Sequence, residues 1–250
     1  MLEGVRLAVV VPAHNEERLL MKTLSTIPSF VDDVVVVDDA STDRTFEVAS
    51  ALSHGRVRVH RHLFNRGVGA AIVTGYRLAL EGGANAIGVM AGDAQMHPDD
   101  LLSLALPVVR GEADYAKGDR FSHPEAHRVM PVERSIAGRV LSSLTRRAAG
   151  LAALSDSQCG YTVISAGAAR QVDLEAVFPR YGYPNDLLGK IAQAGLKIRD
   201  VPVRPIYGDE KSGVRPWHVV VILGLIARIA WDRRSQSAPL AASELRCVKG

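Results

Sequence analysis

Leu7-Ala8-Val9-Val10-Val11 and Val34-Val35-Val36-Val37 are the stretches that decide the fold. Each is a short, unbroken apolar run rich in β-branched residues, the pattern of a strand covered on both faces. Between them, residues 16–27 set Leu19, Leu20, Leu24 and Ile27 on one side of a helix. The alternation continues. Thr42-Asp43 can cap a helix carrying Phe46, Val48, Ala49 and Leu52. Val57 to His60 reads as a third strand, Gly69 to Leu80 as a helix and Ala86 to Met90 as a fourth strand. A helix near Leu101 to Val109 and a strand near Asp114 to Lys117 follow. This order predicts an α/β fold with a doubly wound, mostly parallel sheet and right-handed crossovers.

In such sheets ligands bind beyond the carboxyl ends of the strands. Polar residues stand at each of those ends. Pro12-Ala13-His14-Asn15-Glu16-Glu17 follows the first strand, Asp38-Asp39-Ala40-Ser41-Thr42-Asp43 the second, and Asn65-Arg66-Gly67-Val68-Gly69-Ala70 enters the third helix. Glycines there let a backbone approach a phosphate or ribose, and helix amino-termini favour negative charge. After the fourth strand comes Gly92-Asp93-Ala94-Gln95-Met96-His97-Pro98. A carboxylate at Asp93 is placed to hold Mg2+ or Mn2+, which take one or two carboxylates and complete their shell with substrate phosphates. Each loop alone is equally compatible with ordinary helix capping. No P-loop occurs, and Gly67-Val68-Gly69 is not a full dinucleotide fingerprint.

Composition narrows the partners. The 250 residues, 47% of them hydrophobic, can bury one substantial core. Two distant cysteines, Cys159 and Cys247, point to a reducing compartment, and no cationic segment leads into an apolar one near the N-terminus. Cytoplasm is the expectation, with a peripheral position at the inner face of the cell membrane. The net charge is +3, but Arg120 to Arg147 holds six arginines against two glutamates, and Lys197 to Arg234 eight basic residues against four acids. The second half is therefore the anion-attracting one. No helix-turn-helix or zinc-finger spacing accompanies it, which argues against nucleic acid.

Val9 to Glu17, Val34 to Thr45, Asn65 to Ala71 and the Asp93 loop, in that order, resemble the family 2 inverting glycosyltransferases of GT-A fold. The branch with dolichol-phosphate mannose synthases and bacterial polyprenyl-phosphate sugar transferases is the nearest in appearance. The resemblance spans roughly residues 5–213. It implies one catalytic domain over residues 1–234. About 1–118 would bind a nucleotide-diphosphate sugar in a Rossmann-like half, 119–213 would form the acceptor-binding part, and 235–250 would be a flexible tail.

By the same resemblance Pro12, Ala13, His14, Glu16, Asp39 and Gly69 would surround the donor. Asp93 and Gln95 would approach the metal and diphosphate, and Lys211 would reach the diphosphate from a closing loop. Arg120 would face phosphate, with Arg134 as its partner in an acceptor clamp. Asp156 would position the acceptor or act as base, with Asp186 the other choice should the acceptor be a hydroxyl. Two departures stand out. Ala91 replaces the first acid of the usual Asp-x-Asp, and Val68 replaces a lysine common between the two glycines.

The implied reaction is metal-dependent, inverting transfer of a hexose from a GDP-mannose or UDP-glucose type donor to a polyprenyl or dolichyl phosphate. A saccharide or small-metabolite hydroxyl is the alternative acceptor, and binding without turnover is the alternative that Ala91 raises. Finally, Trp217 to Trp231, with the apolar run Val219 to Ala227 and Arg228, Arg233 and Arg234 near its end, is too short to span a bilayer. It reads as an interfacial helix touching the membrane surface, or as one packed on its own core or in a homo-oligomer.

Overall fold

A computed structural model describes residues 1–207 and 216–237. The chain runs β1 (Leu7–Ala13), α1 (Leu20–Thr26), β2 (Asp33–Asp38), α2 (Thr45–Ala51), β3 (Val57–Arg61), α3 (Val68–Glu81), β4 (Ala86–Val89) and α4 (Asp100–Val109). The second half adds β5 (Tyr115–Asp119), α5 (Ala126–Val129), α6 (Val132–Ala149), β6 (Thr162–Ser165), α7 (Ala166–Gln171), α8 (Tyr183–Gln193), β7 (Ile198–Pro202) and α9 (Pro216–Ser237). Seven strands form one sheet in the order β3-β2-β1-β4-β6-β5-β7. All run the same way except β6, which is antiparallel to β4 and β5.

The expected first half is present, with one helix shortened. Helix α1 begins at Leu20 rather than Glu16, because the amides of Glu16 and Glu17 turn to Thr45 Oγ1 (2.7 Å) and Asp43 Oδ2 (3.3 Å) on the neighbouring loop. The reversed strand β6 has no counterpart in the sequence reading. Its four residues carry no mark of direction.

Strand periodicity divides the core between two faces. Leu7, Val9 and Val11 pack with Leu20 and Leu24 of α1, Ala49 of α2, and Leu101 and Leu104 of α4. Ala8 and Val10 join Ile72 and Tyr76 of α3 and Leu187 and Leu188 of α8 on the other side. Helices α6 and α9 lie outside α8. Ala148 and Ala149 meet Ile222, Ile226 and Ile229 there, while Ile229 presses on Gly189 of α8. Among the described residues no helix is long and apolar enough to cross a membrane.

Candidate active site

The winding direction reverses between β1 and β4, since β2 and β3 extend from one side of β1 and β4 lies on the other. That reversal opens a crevice at the strands' carboxyl ends. A cleft of about 490 Å³ occupies it, a size suited to a small-molecule ligand. Pro12, Ala13, His14, Glu16, Asp39 and Asp93 all line it, as the sequence predicts.

The loops are tied to one another before any ligand arrives. Asp39 is buried, and its carboxylate accepts from His62 Nδ1 (2.7 Å) and the amides of Arg66 (2.8 Å) and Gly67 (2.7 Å). Its carbonyl meets His14 Nδ1 at 2.9 Å. Asp39 thus fastens the first, second and third loops together, and much of its hydrogen-bonding capacity is spent on the protein. Asn15 Oδ1 accepts from the Thr42 amide at 2.8 Å, and the Asn15 amide donates to Ser41 Oγ at 3.0 Å. Asn15, Ala40 and Ala94 take left-handed backbone conformations (φ 59°, 56° and 56°) in these loops. For the two alanines this conformation costs energy, and the network of bonds around them holds it.

Asp93 sits at the cleft with its Oδ1 accepting from the Gln95 amide at 3.0 Å. Gln95 itself is not among the lining residues. Among the described residues no three His, Cys, Asp or Glu side chains converge as a metal cage. Position 91, which could supply a second carboxylate near Asp93, carries only a methyl group. A divalent ion that keeps waters and takes diphosphate oxygens fits such a one-carboxylate site.

Gly69 is not among the cleft's lining residues, and it is packed closely against the protein itself. A Cβ there would lie 2.4 Å from the Phe178 carbonyl oxygen and 2.8 Å from Tyr183 Cβ, and one at Gly67 would lie 2.5 Å from the Pro179 carbonyl oxygen. The glycines let the segment 178–183 press on the start of α3, where the Ala70 amide donates to the Pro179 carbonyl at 3.1 Å. That segment brings residues the sequence did not single out. Phe178, Arg180 and Tyr181 line the cleft, as do Trp217, His218 and Val221 from the first turns of α9. Tyr181 and His218 have ring centroids 4.6 Å apart, and His218 and Trp217 5.0 Å. Burial pushes the Tyr181 phenol up, and the charges of Asp93 and Glu16, which line the same cleft, push it further. Trp217, at the start of the segment read as an interfacial or a packed helix, is one of the three adjoining rings of the cleft's aromatic wall. Lys211 lies outside the described residues.

The second cluster stands beyond β5. Arg120 grips Asp156 with Nε to Oδ2 at 2.7 Å and Nη2 to Oδ1 at 3.1 Å, and its amide donates to Oδ2 at 3.3 Å. Asp156 is fully buried. Burial alone would raise its carboxyl pKa, but the Arg120 charge and hydrogen bonds outweigh that and hold it below the usual carboxylate range. Arg134, in the first turn of α6, lies 5.4 Å from the ring centre of Tyr207. Burial pushes the Tyr207 phenol up, and the charges of Arg120 and Arg134 within electrostatic reach oppose that shift. Asp186 is buried in α8, where it accepts from the Phe178 amide at 2.7 Å and pairs with Arg228 of α9. Arg228, expected to face a membrane, is therefore occupied within the protein. The two clusters adjoin through Gly160, where a Cβ would lie 2.8 Å from the Tyr183 hydroxyl and 3.6 Å from Met96 Cε.

Comparison with known proteins agrees with this architecture. The family model described as glycosyl transferase family 2 matches residues 8–170. The undecaprenyl-phosphate mannosyltransferase of Micrococcus luteus is 32% identical over 80% of this chain and 83% of its own. The UDP-N-acetylglucosamine–dolichyl-phosphate N-acetylglucosaminyltransferase of Methanococcus voltae is 26% identical over 88% of this chain and 93% of its own. Among solved structures, glucosyl-3-phosphoglycerate synthase of Mycobacterium tuberculosis superposes with a TM-score of 0.70 at 19% identity. That match covers 92% of this chain and 81% of the other. With its family model covering more than half the sequence and its sheet wound as in that enzyme, this chain belongs to glycosyl transferase family 2 and is a glycosyltransferase of GT-A fold.

Proposed function

We propose that the protein transfers a hexosyl group, with inversion, from a nucleotide-diphosphate sugar to a polyprenyl or dolichyl phosphate at the membrane surface. The observation that carries the acceptor is the state of the two candidate bases. Asp156 and Asp186 are buried, and each is paired with an arginine. A hydroxyl acceptor needs a group to take its proton, whereas a phosphate monoester is already ionised near neutral pH. The relatives from Micrococcus luteus and Methanococcus voltae, whose names specify lipid-phosphate acceptors, support the same choice.

In this reading the nucleoside lies against Pro12, Ala13 and His14, and the aromatic wall of Tyr181, His218 and Trp217 closes the cleft. Asp93 and Glu16 face that wall. A Mg2+ or Mn2+ ion bound through Asp93 and the diphosphate would neutralise charge on the leaving group. Arg120, fixed in orientation by Asp156, and Arg134 hold the acceptor phosphate. One of its oxygens attacks the anomeric carbon as the bond to the diphosphate breaks, and the nucleoside diphosphate departs with that electron pair. No proton moves. Positioning and leaving-group electrostatics account for the catalysis.

The test measures release of nucleoside diphosphate from GDP- and UDP-hexoses with a polyprenyl phosphate, with a free sugar and with neither. Release only with the lipid phosphate is expected. Release with the sugar alone would move the hydroxyl reading ahead, and tight donor binding with no release would favour binding without turnover, the reading raised by Ala91.

The aromatic wall supplies its own check, because Trp217 and Trp231 are the only tryptophans in the sequence. In a Trp231→Phe background, the accepted nucleoside diphosphate should quench Trp217 fluorescence. Trp217→Ala should weaken donor binding about tenfold, the scale of one aromatic contact. Unchanged emission at saturating nucleotide would remove Trp217 from the donor site.

A further inference from the structure

The outer surface of α6 carries an apolar row that the fold does not cover. Val132, Ile136, Val140 and Leu144 recur every four residues and are all exposed, Ile136 by 60%. This spacing places them on one helix face. The opposite face, Gly138, Ser142, Thr145 and Ala149, is the buried one. Alongside, α9 buries Ile222, Leu225, Ile226 and Ile229 and leaves Val220, Leu223 and Trp231 exposed, Val220 by 70% and Trp231 by 71%. Both helices rest on α8 and on each other, and each turns exposed apolar residues to the outside.

We propose that this two-helix surface is the face by which the enzyme docks on an anionic lipid membrane. The inference rests on the lipid-phosphate reading for its purpose, and on the exposed rows and their charges for its evidence. The charges select the occupant. Within α6, Arg134, Arg139, Arg146 and Arg147 stand against the single acid Glu133, so the helix suits negative headgroups. The basic residues of α9 contribute less. Arg228 is paired with Asp186, and the Arg233 side chain lies over Gly150 at the end of α6. An exposed apolar row along one helix face marks an interaction site in a globular protein.

Arg134 stands in the first turn of α6 on the row that continues through Gly138 and Ser142, away from the exposed apolar row. A helix lying at the boundary of headgroups and acyl chains buries its apolar row while its other arginines stay at phosphate level.

The experiment mixes the full-length protein with vesicles of mixed phosphatidylglycerol and phosphatidylcholine, and with vesicles of phosphatidylcholine alone. Sedimentation, Trp231 emission and size by light scattering are read together. The wild-type protein should sediment with the anionic vesicles, less so as salt rises, and in a Trp217→Phe background Trp231 emission should shift to the blue. Ile136→Glu with Val140→Glu should weaken this binding at least about tenfold, since it places two anions in the row. Because both side chains are exposed, the variant should keep its melting temperature. It should also keep its rate on a short-chain isoprenyl phosphate dissolved in detergent. Wild-type protein that ignores anionic vesicles, or binding that survives the double substitution, overturns the docking face. So does a stable dimer that the substitutions split, because the row is then an interface between copies. Loss of the detergent-dissolved reaction in the wild-type enzyme would instead strike the acceptor reading and leave the docking result standing.

Discussion

Asp93→Asn should lower the transfer rate by about a hundredfold or more, since it removes the one carboxylate placed to bring a divalent ion to the departing diphosphate. The isosteric amide keeps the side chain's shape and an oxygen facing the Gln95 amide, now 3.0 Å away, so the loop should stay folded. Loss of activity with an unchanged melting temperature would then isolate the charge. Ala91→Asp supplies the reciprocal test. It restores a second acid beside Asp93 and should tighten Mn2+ dependence without harming transfer. Full turnover by Asp93→Asn, with a chelator also without effect, would mean that the diphosphate leaves without a metal held there.

Arg120 carries the second large effect, and it has two parts that can be separated. Arg120→Ala leaves Asp156 charged and fully buried, the situation in which breaking an ion pair is most expensive. Arg120 keeps 27% of its side-chain surface exposed, so the lower end of the usual range, about 3 kcal/mol, is expected. The pH dependence has a definite sign. The Asp156 carboxyl is held below its ordinary value in the folded protein. Its contribution is therefore complete above the unfolded value of about 4 and is lost as pH falls through the lower folded value. The stability gap between wild type and Arg120→Ala should be full at neutral pH and shrink in acid.

Arg120→Ala with Asp156→Asn should recover much of the stability by removing the unpaired charge, yet should not recover transfer. Acceptor KM should rise far more than donor KM in this double variant. Arg120→Lys should be intermediate in stability and poor in transfer, because a point charge cannot reproduce the two-pronged grip on Asp156. Normal acceptor kinetics in the double variant would show that the arginine only holds the loop and would end its role as a phosphate clamp.

Much of the donor half is legible in the chain because its signals are local. Apolar runs such as Leu7 to Val11 cannot be satisfied except by cover on both faces, and the polar residues after them must then emerge at one edge. That logic names the loops and Asp93, the family resemblance picks out Pro12, His14, Glu16 and Asp39 within them, and all five residues line the cleft. The loop glycines are legible as close approaches, but what approaches them is not. Gly67 and Gly69 face the carbonyls of Pro179 and Phe178, more than a hundred residues away. Lys211 falls outside the described residues, so the closing loop remains an expectation of the sequence alone.

The sequence by itself determined the alternation of strands and helices, the order of the motifs and hence the family, because each depends on residues within a turn or two of one another. Only the tertiary structure decided which side chains are spent on the protein and which face the ligand. Asp156 and Asp186 read alike as carboxylates in loops and helices, and only the fold shows each of them buried and paired with an arginine, Arg120 and Arg228. Trp217 and Trp231 likewise bracket one apolar helix. Packing on α6 and α8 turns the first into the wall of the cleft and leaves the second exposed on the outer surface. A side chain's charge and hydrophobicity are properties of the residue, but its partner is set by which distant element the fold lays against it.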